Sequence, residues 1–174
     1  MNTQISQSSQ AKLDNLFLGM ISHDEGDARR IQHFIKVHAF SRILGLQENL
    51  DEATLFTLEA AAYVHDIGIR PSEEKYGSCN GKLQEQEGPA PARELLTKLD
   101  FPEEVTERVA YLVGHHHTYT DIDGIDYQLL VEADFLVNAY EDHLSESAIR
   151  TCIEKVFRTK SGITMCKEMF RLPD

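Results

Sequence analysis

His33, the adjacent pair His65-Asp66 followed by Ile67-Gly68, and the distant Asp134 are the residues of this chain whose types and order point to chemistry. Two imidazoles and two carboxylates form a mixed nitrogen and oxygen donor set suited to a divalent metal. Each lies in an apolar, helix-periodic stretch, where an unpaired charge is costly, so a shared cation explains their presence better than solvation does. Ala60-Ala61-Ala62-Tyr63-Val64 leads directly into His65, and Asp134 falls between Leu130 and Val137 on one helical face. The donor types suit Mn, Fe, Co, Ni or Zn, with Mg less natural beside two histidines.

This ordered set resembles the HD superfamily of metal-dependent phosphohydrolases, whose signature is a His, then His-Asp, then a distant Asp. His65-Asp66-Ile67-Gly68 matches the most recognisable segment, and His33-x-x-Lys36-Val37 is similar to the opening one. The resemblance spans Asp27 to Asp142, with a weaker likeness at Phe157, Thr159 and Gly162. It implies an all-α, single-domain HD-fold helical bundle over residues 1–174, with C-terminal helices from 145 onward. It further implies hydrolysis of a small phosphorylated substrate, a nucleotide foremost, by metal-activated water. Related two-metal proteins carry further histidines, one of them in a segment that here reads Gln84-Glu85-Gln86-Glu87-Gly88. One metal is therefore expected, with room for a second. An HD-type di-iron oxygenase and a non-catalytic, metal-containing binding module are the alternatives.

Around these ligands, Lys36 lies one helical turn from His33, while Arg70 and Lys75 follow the His-Asp pair. All three are candidate phosphate-binding cations. Asp66, His115 and Glu87 are candidates for proton transfer, with Lys36 as a catalytic cation. His115 and His116 are assigned to substrate or water, and His117 to the periphery or surface. His23-Asp24 is read as a helix-start pair, His38 as a surface or packing residue, and His143 as a solvated helix end.

The elements that must position these groups are helices, because apolar residues recur at helical spacing and no alternating strand pattern is present. A short first helix is expected around Leu13 to Met20. A second is expected from a Ser22-x-x-Glu25 capping box to a stop at Gly45. A third starts at the N-cap Asp51, with Leu50 and Leu55 as a staple, carries His65-Asp66 in its last turn and is ended by Gly68 followed by Pro71. Residues 69–83 read as a loop, given Pro71, Gly77 and Gly81. Further helices are expected at 89–99, 102–113, 126–141, 145–157 and 162–170.

At 174 residues the chain is long enough for one core without staples. Cys79, Cys152 and Cys166 form no Cys-x-x-Cys pair, which argues against a disulfide framework or a zinc ribbon. A formal charge of −12 disfavours an extended nucleic-acid surface. No membrane-spanning run or signal-like N-terminus is read, so a cytoplasmic protein is expected. P-loop, nucleophile-elbow and dinucleotide motifs do not occur.

Overall fold

The computed structural model describes residues 5–172, which form ten helices and no strand. In order these are α1 (Gln7–His23), α2 (Ala28–Gln47), α3 (Glu52–Val64), α4 (Ile69–Tyr76), α5 (Gly81–Glu87), α6 (Pro89–Lys98), α7 (Glu103–Val113), α8 (Ile125–Glu141), α9 (Glu146–Lys155) and α10 (Lys160–Met169). The centre is α3, whose residues from Leu55 to Ala62 are all buried. A helix covered on every side must be apolar around its circumference. Ala60, Ala61 and Ala62, none of them exposed, further allow neighbours to pack closely. Helices α1, α2, α7 and α8 surround it, and α8 is buried along most of its length.

Local signals explain several boundaries. Asp51 caps α3 by accepting from the Thr54 amide at 2.9 Å, with Leu50 buried beside it, as the sequence predicts. Ser145 caps α9 and Thr159 caps α10 through their side-chain oxygens. Glu132, wholly buried in α8, accepts from the Arg158 and Thr159 amides at 2.7 and 3.0 Å and thereby fixes the entrance to α10.

Three expectations are corrected. The first helix is not short: it continues through Ser22 and His23, so no capping box forms there, and His23-Asp24 closes a helix instead of opening one. The chain turns at Gly26 (φ 88°), and Asp27 caps α2 by accepting from the Arg30 amide at 3.0 Å. Gly45 does not stop α2, which runs on to Gln47. A Cβ there would lie 2.8 Å from Leu55, so Gly45 serves the close approach of α3. Residues 69–83 are not a loop but carry α4 and the start of α5, with Pro71 tolerated in the first turn of α4 and Asn80 capping α5.

Candidate metal centre

Helices α2, α3 and α8 bring their ligand candidates to one point. His33 Nε2 lies 3.2 Å from His65 Nε2, 3.1 Å from Asp134 Oδ1 and 3.5 Å from Asp66 Oδ2. His65 Nε2 lies 3.4 Å from Asp66 Oδ2 and 3.5 Å from Asp134 Oδ1. His65 is completely buried and Asp134 nearly so. Asp66, just past the end of α3, is the most accessible of the four carboxylate and imidazole groups.

The other ring nitrogens determine what this convergence means. His65 Nδ1 donates to the Ala62 carbonyl at 3.0 Å, and His33 Nδ1 donates to Glu141 Oε2 at 3.0 Å. In the neutral rings both Nε2 atoms therefore carry bare lone pairs, and these face each other and two carboxylates. Such an arrangement requires a cation between the groups. Protons can supply one in the apoprotein. Burial disfavours the charged form of His33, but its hydrogen bond to Asp134 and the nearby carboxylates prevail and raise its pKa. The same contest raises that of His65. Burial would push Asp66 and Asp134 upward, yet the facing histidines hold both well below the ordinary carboxylate range. A divalent ion satisfies the same geometry without protons, and the donor set fits one.

A second group shares Asp66. His116 is completely buried, its Nδ1 donates to the Val113 carbonyl at 2.9 Å, and its Nε2 finds no hydrogen-bond partner while standing 3.4 Å from Asp66 Oδ1. His117 completes a possible ligand group with Asp66 and His116. Its Nε2 lies 3.0 Å from Gln84 Oε1, while the Gln84 amide nitrogen donates to the Cys79 carbonyl at 2.7 Å. Burial pushes the His117 pKa down to about 4, leaving the ring neutral near pH 7.

The remaining sequence candidates are dispersed. Lys36, itself outside the cavity lining, pairs with Glu141, which lines it. Arg70 donates to the His23 carbonyl at 2.7 Å and pairs with Glu74. Lys75 and Glu87 pair with each other at 3.0 Å, and Glu87 sits at the end of α5. His115 stacks on Tyr111 and donates to its carbonyl at 2.7 Å. None of these five lines the cavity over the centre, so the structure does not bring them together with the four ligands. His116 is completely buried, whereas His117, expected at the periphery, lines the cavity. His38 stacks on Tyr63 and bonds Glu59 at 2.8 Å, in keeping with its packing role.

Sequence reading missed Glu141, Asn138, Arg30 and Gln84 as site residues. Asn138 donates to Asp134 Oδ1 at 2.9 Å, and Glu141 orients His33. These two follow Asp134 by four and seven residues on α8, so helical periodicity alone places all three on one face.

The family model for the HD domain matches residues 30–153, and the chain belongs to that family. A crystal structure described as a predicted HD superfamily hydrolase, from an uncultured Thermotogales bacterium, is similar with a TM-score of 0.63 and 22% identity. The match covers 93% of this chain and 84% of that one, and it establishes the likeness of fold. No curated protein matches the chain. No helix among the described residues is long and apolar enough to cross a membrane.

Proposed function

We propose that this protein is a metal-dependent phosphohydrolase acting on a small phosphorylated compound, with His33, His65, Asp66 and Asp134 as the metal ligands. The observation that carries this reading is the convergence of two buried imidazole lone pairs and two carboxylates beneath an open cavity. A divalent ion held there acidifies a bound water and polarises a phosphoryl group.

The chain's own groups prepare the site. Glu141 fixes the His33 tautomer and is itself held by Lys36, so Lys36 acts through two neighbours. Asn138 aims one oxygen of Asp134. Asp66, the most exposed of the four ligands, would hold the ion on the side that a substrate can reach. The orphaned Nε2 of His116 favours a second ion shared through Asp66, with His117 as its other imidazole. A nucleotide substrate is the expectation that family resemblance supplies.

Phosphate release from phosphoesters by the purified protein, with Mn, Co, Ni, Zn and Mg varied, tests the reading. Turnover that depends on added metal supports it, and metal-loaded protein inactive on every phosphoester contradicts it. Elemental analysis decides the stoichiometry: two retained equivalents per chain support the shared site, and one confines the ion to the His33 side.

A further inference from the structure

The walls of the cavity say more about the substrate than the ligands beneath it do. Its volume is ≈ 390 Å³, and Ile69 and Cys79 are its only apolar side chains among the described residues. Sites for flat heterocycles are generally lined by hydrophobic and aromatic side chains. Among the described residues no Phe or Tyr lines this one. Its two imidazoles are already engaged, His33 at the centre and His117 with Gln84. What the walls offer instead is Asp27, Glu73, Glu141 and Asn138; the three carboxylates also hold Arg30, His33 and Lys36, and their remaining lone pairs and the Asn138 carbonyl accept from hydroxyls far better than they pack against a ring.

Arg30 stands in this wall as a fixed cation. Its Nε lies 3.2 Å from Asp27 and one terminal nitrogen 2.6 Å from Glu73, which anchors the guanidinium plane. The N–H donors not used by these carboxylates are available to an anion. A planar fork of this kind suits phosphate oxygens. Arg29 lines the same cavity but is largely exposed, and its approach to Asp142 is a loose 3.7 Å.

We propose that the substrate is a compact, hydroxylated phosphomonoester of the sugar-phosphate class, with Arg30 seating its phosphate and the wall carboxylates receiving its hydroxyls, and that no nucleobase is recognised. This inference rests on the phosphohydrolase reading and narrows it. The informative comparison is ribose phosphate against adenosine and uridine monophosphates, which carry the same phosphorylated ribose and differ by the base.

With metal-loaded protein, kcat/KM for ribose phosphate is expected to exceed that for either nucleotide by about tenfold or more, a difference of about 1.4 kcal/mol. Arg30→Gln is expected to raise KM more than it lowers kcat, with Arg30→Lys recovering part of the loss. Equal efficiency or preference for a nucleotide overturns the inference while leaving the phosphohydrolase standing. Unchanged KM in a folded Arg30→Gln variant removes Arg30 as the phosphate seat. Absence of turnover on every phosphoester overturns the phosphohydrolase reading and this inference with it.

Discussion

Asp134 faces His33, His65 and the Asn138 amide, and among the described residues no lysine or arginine contacts it. The cations it would strand on neutralisation are the protonated imidazoles of His33 and His65, whose place a metal takes. Asp134→Asn is therefore expected to abolish most of the metal-induced rise in melting temperature, and to lower the metal-free form less and less as pH rises and those imidazoles lose their protons. A variant that keeps the full rise would remove Asp134 from the ligand set. Glu141 acts one step further out, because it only holds the His33 tautomer. Glu141→Gln is expected to weaken metal binding by about 10–100-fold, measured by competition with a chelating dye. The Asp134 assignment was open to sequence reading through its apolar surroundings. Lys36 shows the limit of that reading, since spacing put it one turn from His33 but said nothing of Glu141, 105 residues away, which captures its ammonium.

At the level of elements, the His65-Asp66 turn owes its position to a glycine. A Cβ on Gly68 would lie 2.5 Å from the Gln84 carbonyl and 2.8 Å from the Gly88 amide, both backbone atoms that cannot swing aside. Gly68→Ala must push α5 away from this turn, and overpacking of this kind costs about 1–3 kcal/mol. Lower thermal stability together with weaker metal binding is the expected outcome. Unchanged values of both in thermal melts would show that α5 is not held by this contact. Although α3 ends at Val64 and Gly68 leads into α4, sequence reading took Gly68 for the stop of the third helix. It missed α4 and α5 because segments of 8 and 7 residues are too short to establish a period, and because Pro71, Gly77 and Gly81 resemble loop punctuation. Helices α3, α7 and α8 were legible from apolar residues at helical spacing, and α3 also from its Asp51 cap. The histidine triplet was hard to place for a related reason: α7 ends at Val113, so its period does not extend to His115, His116 and His117.

For the whole molecule, the centre links stability to pH. His33 and His65 have raised pKa values in the apoprotein, so their stabilisation is complete below the unfolded value of about 6.5 and is lost as pH rises through the folded values. Asp66 and Asp134, held low, contribute above about pH 4 and lose that contribution as pH falls through their folded values. His117, pushed down to about 4, opposes the other two histidines below pH 6.5. The apoprotein should thus melt highest between about pH 4 and 6.5 and lower at pH 8. Metal needs unprotonated imidazoles, so the gap between metal-loaded and metal-free melting temperatures should widen from pH 6 to pH 8. A constant gap would mean that these histidines do not exchange protons for metal. The most direct test of the central claim is phosphate release by the metal-loaded protein, followed through chelation and re-addition of the ion. Release that disappears with the chelator and returns with the metal is the predicted result. Release that persists in metal-free protein, or no release from the metal-loaded form, would contradict a metal-dependent phosphohydrolase built on His33, His65, Asp66 and Asp134.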